Sequence, residues 1–264
     1  LDPQQQAALI YEWAVLARPE QLPPKWPWRY WTITAGRGWG KTETGSRWVI
    51  AKAQAMPNSL GAIVGQTPDE ARLIQVEGPA GILARSPPWF RPKWEPSNAK
   101  LIWPNGANAT VFSAAKPGAF RGPQHHWVWG DELAKWPRAR EAFDNINFGL
   151  RLEQCGREPQ ALFTTTPRPI AVLKELLAKA NCARTGGTTF ENRANLARSF
   201  LDEVLGAYEG TRLGRQELMG ELLDDVPGAL WSRARMDAPG FRVVREPSDD
   251  DTLCVAIDPA ASNN

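Results

Sequence analysis

Gly36, Gly38 and Gly40 alternate through Gly36-Arg37-Gly38-Trp39-Gly40-Lys41-Thr42, a spacing suited to gripping phosphate. Such glycines let backbone N–H groups converge on phosphate oxygens, Lys41 can reach the β- and γ-phosphates, and the Thr42 hydroxyl can hold Mg²⁺. A helix opening at Thr42 adds the positive end of its dipole. Gly-Lys-Thr alone arises often by chance, so its setting decides. A run rich in β-branched and aromatic residues, Trp28-Arg29-Tyr30-Trp31-Thr32-Ile33-Thr34, precedes it, and an amphipathic helix carrying Trp48, Val49, Ala51 and Ala55 follows. The strict pattern has glycine where Ala35 stands; alanine serves there if its φ is negative.

A phosphate loop needs carboxylates beside it. The apolar run His126-Trp127-Val128-Trp129-Gly130 ends in Asp131-Glu132. Asp131 would hold hydrated Mg²⁺ and Glu132 would orient and deprotonate an attacking water. Ala161-Leu162-Phe163 runs into Thr164-Thr165-Thr166, and hydroxyls at the carboxyl end of a parallel strand face the ligand crevice. Either they sense the γ-phosphate or they merely suit a strand. Gln21 carries an amide able to pair with both edges of adenine, though a solvated loop glutamine explains it equally. His125 and His126, the two histidines, are accounted for by surface or strand-end positions.

The elements that would position these groups alternate. Helical spacing covers residues 4–17, 42–56, a stretch capped by Thr67-Pro68-Asp69-Glu70, 137–152 and 169–180. Strands are expected near 28–35, 60–65, 126–131, 161–163 and 185–190. Asn105-Gly106 marks a hairpin between 101–103 and 109–112. Residues 86–98 read as a connection. Strand–helix alternation argues for an α/β fold with a mainly parallel sheet. From Asn195 short helices follow, at 196–207 and 211–223. Thr252-Leu253-Cys254-Val255-Ala256-Ile257-Asp258 then looks like the first strand of a further domain.

With 264 residues, 42% hydrophobic, the chain can bury a large core, and a formal charge of +2 gives no case for a broad nucleic-acid surface. Thirteen tryptophans suit core packing better than base stacking. Cys155, Cys182 and Cys254 suggest neither a disulfide framework nor a zinc site, and buried thiols are expected. A polar N-terminus and no long apolar run point to a soluble intracellular protein.

Taken together the motifs resemble the large terminase subunit of tailed bacteriophages and related elements. The resemblance runs through Arg18-Pro19-Glu20-Gln21, the Ala35–Thr42 loop, Phe120-Arg121-Gly122, Asp131-Glu132-Leu133-Ala134, Thr164-Thr165-Thr166-Pro167, Glu191-Asn192-Arg193-Ala194-Asn195-Leu196 and Thr211–Glu217. It implies a RecA-like P-loop ATPase core over 1–190, a small helical lid and linker over 191–240, and the start of an RNase H-like nuclease over 241–264. It assigns Gln21 to adenine, Arg37 to γ-phosphate sensing, Arg121 to an arginine finger acting across subunits, and Thr165 and Thr166 to coupling hydrolysis with motion. Asp258 matches the first metal-binding aspartate of the nuclease; its acidic partners are absent, so no cleavage by this chain is expected.

The implied activity is ATP hydrolysis with Mg²⁺, driving double-stranded DNA into a procapsid. The implied partners are DNA, portal protein, small terminase subunit and further copies forming a homo-oligomeric ring, with a monomer as the free form, in host cytoplasm and without a membrane. Arg212/Arg215 and Arg233/Arg235 are either phosphate or subunit contacts, or solvated faces. Two other classes stay open: another P-loop NTPase, such as a GTPase or small-molecule kinase, and a docking module for portal or small terminase with little turnover. The absence of an Asn-Lys-x-Asp motif argues against a GTPase.

Overall fold

The structure, a computed structural model, describes residues 9–208 and 210–223. Among the described residues eight strands form one sheet in the order β3-β4-β5-β2-β6-β7-β1-β8. They are β1 (Tyr30–Ala35), β2 (Leu60–Gly65), β3 (Lys93–Glu95), β4 (Lys100–Ile102), β5 (Asn108–Ser113), β6 (Trp127–Asp131), β7 (Gln160–Thr165) and β8 (Cys182–Gly187). The six strands from β5 to β8 in that order pair in parallel, while β4 pairs antiparallel with both β3 and β5. The expected mainly parallel α/β sheet flanked by helices is thus present.

Topology explains where a ligand would sit. The chain leaves β1 through α1 (Lys41–Ala55) toward β2 on one side, and leaves β7 through α2 (Ala171–Ala178) toward β8 on the other. Right-handed crossovers in opposite directions put the two helices on opposite faces. Trp48, Val49 and Ala53 of α1 join a core with Trp31, Ile33, Trp127 and Trp129, whereas Val172 and Leu173 of α2 join Val128, Phe163 and α3 (Ala139–Gly149) through Phe143 and Ile146. The carboxyl ends of β1, β6 and β7 therefore open a crevice at the switch point.

Several expectations shift. The N-terminal helix expected over 4–17 contains, in its described part, only Trp13–Leu16 as a continuous turn. Ile10, Val15 and Leu16 there are largely exposed, so no apolar face rewards a longer helix. The connection 86–98 holds an unexpected edge strand, β3. The strand expected at 185–190 lies at Cys182–Gly187, because a capping box at Thr188 and Glu191 starts a 3₁₀ helix, Thr189–Asn195. Helices α4 (Arg198–Tyr208) and α5 (Arg212–Glu217) follow, the latter capped by Thr211 and shorter than the 211–223 expected; Gly220, at φ +69°, lies just beyond it.

Trp31, Trp39, Trp103, Trp127 and Trp129 are fully buried, as core residues should be. Cys182 is buried but Cys155 is exposed, against the expectation of buried thiols. His125 is buried rather than superficial, and His126 Nδ1 accepts the Leu60 N–H. Among the described residues no helix is long and apolar enough to cross a membrane. Asp258, Cys254, Arg233, Arg235 and the strand expected near 252–258 lie outside the described residues.

Candidate functional site

The loop between β1 and α1 turns on two glycines at positive φ, Gly38 at +76° and Gly40 at +105°. Gly40 is the N-cap position of α1, and its left-handed backbone is what aims the first turn of the helix back over the strand ends. The first N–H groups of a helix have no intrahelical acceptor, so Lys41 and Thr42 present donors there. Thr42, half-buried, is the second residue of α1.

Lys41 is buried, and its ammonium donates to Ala35 O at 3.1 Å, Gly36 O at 3.3 Å and Thr166 Oγ1 at 3.0 Å. Glu132 Oε1 lies 3.6 Å away. Burial pushes the Lys41 pKa below its ordinary value against the opposing pull of Glu132 and Asp131. Glu132 follows the last residue of β6 in a left-handed conformation, φ +51°. A non-glycine residue held there costs roughly 1–3 kcal/mol, which its surroundings must offset. They do so through the Thr166 N–H, donated to Oε2 at 3.1 Å, the Thr166 hydroxyl at 3.4 Å, and Lys135 Nζ at 3.5 Å. Burial raises the Glu132 pKa, but Lys41, Lys135 and the Thr166 N–H outweigh it and hold the carboxyl below its ordinary value.

Asp131 is the more deeply enclosed carboxylate. Burial first, then the neighbouring Glu132 charge, push it up to about 6, with the Thr164 hydroxyl and Lys41 pulling the other way. Thr164 donates to Asp131 Oδ1 and itself accepts from Trp129 Nε1 at 3.1 Å. Thr165 is tied structurally: its hydroxyl accepts the Ala134 N–H at 3.1 Å and donates to Thr166 O. Of the threonine run, it is Thr166 that bridges Lys41 and Glu132.

Gln21 is 4% exposed, which removes the solvated-loop explanation. Its amide donates to Thr44 Oγ1 at 3.0 Å and accepts the Arg18 N–H at 3.2 Å, beside Gly40. One donor and one lone pair remain for a ligand. Arg18, singled out only within a longer motif, spans the loop. It donates to Trp39 O at 2.5 Å and Asn192 Oδ1 at 3.1 Å, and stacks 4.8 Å from the Trp39 ring. Asn192 Nδ2 donates to Gly38 O, Thr189 Oγ1 to Arg37 O, and Trp39 Nε1 to Glu191 Oε2. Gly36 leaves no room for a side chain, since a Cβ there would meet Leu218 O at 2.3 Å. The loop is thereby laced to residues 187–195 and 217–218.

Arg37 does not join Lys41 and Glu132. Its side chain is 68% exposed, lies 3.8 Å from Glu217, and borders a cavity of about 340 Å³ with Phe200, Tyr208 and Leu213. Arg121 is exposed beside Phe148 and Arg151 in another cavity and contacts none of the site residues described above. Lys135 is a site residue that the sequence motifs do not single out; its three-residue spacing after Glu132 is the signal that could have found it.

The donor set fits a phosphate and a hard cation. An ammonium rests on loop carbonyls, the first turn of α1 has N–H groups without intrahelical acceptors, and Asp131 is a buried carboxylate whose pKa is raised by burial and by the Glu132 charge. No group of three or more His, Cys, Asp or Glu among the described residues could hold a metal unaided.

Residues 32–237 match a family model described as terminase large subunit, T4likevirus-type, N-terminal. No curated protein matches the sequence. Among solved structures, the large terminase ATPase domain of a Thermus phage aligns with a TM-score of 0.61 at 16% identity, over 84% of this chain and 100% of that one. The large terminase of a thermophilic bacteriophage, in complex with ADP, aligns at 0.60 and 17% identity, over 83% of this chain and 53% of that one. The same terminase in complex with ATP-gamma-S gives 0.57 at 14% identity, over 83% of this chain and 52% of that one. Such likeness establishes the fold: the RecA-like α/β sheet of large terminase ATPase domains.

Proposed function

The chain belongs to the T4likevirus-type terminase large-subunit family, and on that footing we propose that it hydrolyses ATP with Mg²⁺ to drive double-stranded viral DNA into a procapsid. The observation that carries this reading is the joint of Lys41, Thr166 and Glu132, which ties the ends of β1, β7 and β6 together at the mouth of a phosphate loop. Solved relatives with ADP and ATP-gamma-S support nucleotide as the ligand.

Lys41 and the loop N–H groups would hold the triphosphate, Gln21 the adenine edge, and Thr42 with Asp131 the cation. Mg²⁺ bound there neutralises charge on the phosphate oxygens. On binding, Lys41 transfers its contact from Glu132 to phosphate, while Glu132 keeps the Thr166 N–H and Lys135. The carboxylate is then aimed as the base that takes a proton from water. Arg37 senses the γ-phosphate only by leaving Glu217, and movement of that contact would carry the state of the site to α4 and α5. Arg121 acts as a finger toward a neighbouring copy's site. Portal, small terminase subunit and a ring of copies in host cytoplasm complete the reading.

The test is Mg²⁺-dependent hydrolysis of ATP against GTP, with Lys41→Ala and Glu132→Gln. Loss of about 10²-fold or more in both variants, with ATP preferred, supports the reading. Unchanged turnover in both would remove it, and a preference for GTP would move the chain to another class of P-loop NTPase.

A further inference from the structure

Beyond β2 the chain enters a short helix, Pro68–Glu70, capped by Thr67, which widens into a π-helical stretch, Ala71–Val76. Its buried face carries Ala71 and Val76 but also a polar residue, Gln75. Leu73 is 54% exposed and Ile74 46% exposed, whereas Gln75 is 1% exposed. Hydrophobic burial accounts for Ala71 and Val76 but not for Gln75. π-helical turns inside helices recur at functional sites, where the extra residue re-aims side chains.

Gln75 is a buried amide, 1% exposed. Neither its Oε1 nor its Nε2 has a hydrogen-bond partner among the described residues. Buried amides are nearly always paired, and one left open calls for an explanation in ligand or solvent. The cavity it borders supplies one. That cavity, about 60 Å³, is lined by Asp131, Glu132 and Lys135 together with Gln75. The space suffices for a water molecule, which needs roughly 10–15 Å³.

We propose that Gln75 is a positioning residue for hydrolysis, its amide turning onto the water that Glu132 activates. This rests on the ATPase reading above. Gln75 Oε1 accepts one O–H of the water and Glu132 the other, which leaves an oxygen lone pair directed out of the cavity. The amide makes these bonds to the water poised for attack. A side chain whose hydrogen bonds are made only in the reacting state contributes to kcat rather than to ground-state binding.

Gln75→Met keeps the volume and removes the amide, and three quantities are read on it: kcat, KM for ATP, and the melting temperature of the nucleotide-free protein. The expected result is a fall of about 10²-fold in kcat, KM within about two-fold of wild type, and a melting temperature that rises by a few degrees because an unpaired buried amide is gone. Gln75→Asn, with its amide one methylene short, should lose kcat similarly. Unchanged kcat in either variant overturns the proposal. So does a joint fall of kcat and melting temperature, which would mark the amide as a structural group. Lys41→Ala and Glu132→Gln run alongside: inactive controls with active Gln75 variants sink only this inference, while active controls sink the ATPase reading itself.

Discussion

Lys41 carries one charge and distributes it over Ala35 O, Gly36 O, Thr166 Oγ1 and, more distantly, Glu132. A phosphate must compete with all of them. Of these only Glu132 is charged, so replacing it with glutamine lowers the competition without disturbing the loop carbonyls. Glu132→Gln should therefore bind ATP about five-fold tighter, equivalent to about 1 kcal/mol, while losing hydrolysis. Titration with a fluorescent ATP analogue checks it, and weaker binding would mean that Glu132 supports the ligand directly. His125 gives a second residue-scale prediction. Burial, then the nearby His126, lower its pKa to about 4, and among the described residues both ring nitrogens lack partners. Between an unfolded value near 6.5 and that folded value, the unfolded chain binds more protons. Stability from this group is thus complete above pH 6.5 and is lost as pH falls toward 4, by up to about 3 kcal/mol. His125→Phe, which keeps an aromatic ring against Phe112, should flatten that slope in urea titrations at pH 7 and pH 5.

At the scale of elements, the loop is held by how closely α1 lies on β6. A Cβ on Gly45 would sit 2.1 Å from the Trp129 ring, and that ring is fixed by its hydrogen bond to Thr164. Gly45→Ala must push α1 off the sheet, at a cost of roughly 1–3 kcal/mol. Urea midpoints should fall accordingly and ATP affinity with them, because Lys41 stands one turn away; an unchanged midpoint would show that the helix shifts freely. The same closeness explains what the sequence could reveal. β1, α1, β6 and β7 were legible because each is an apolar run or helical stripe ending in glycine or polar residues, so Lys41, Asp131, Glu132 and Thr166 could be placed at strand ends beforehand. β3 was hidden, since three residues between Pro92 and Pro96 are too few to show alternation. Gln75 was illegible for a stronger reason: in a π turn the period changes, and a polar residue faces inward where the pattern assigns Leu73 or Ile74. Arg18 and Asn192 lie 174 positions apart and meet only through the fold.

For the whole molecule, a charge of +2 gives no case by itself for a broad nucleic-acid surface. Arg121 belongs to this scale. It stands exposed in a cavity of about 350 Å³ shared with Phe148 and Arg151, and no ion pair or side-chain hydrogen bond engages it among the described residues. A guanidinium without an internal partner is available to a neighbouring copy, and head-to-tail contacts that close give rings. If Arg121 completes the neighbour's site, Arg121→Ala and Glu132→Gln are each inactive alone, because every interface lacks one group. Mixed in equal amounts, about a quarter of interfaces combine an intact Glu132 with an intact Arg121. Hydrolysis should then recover to about a quarter of the wild-type rate if sites fire independently, and to less if they are coupled around the ring. Because assembly precedes turnover, the rate per subunit should also rise with protein concentration. Steady-state ATPase assays on the mixture at several concentrations measure both. A mixture that stays at the sum of its two inactive components, alongside wild-type turnover independent of concentration, would confine hydrolysis to single chains and take the finger role from Arg121.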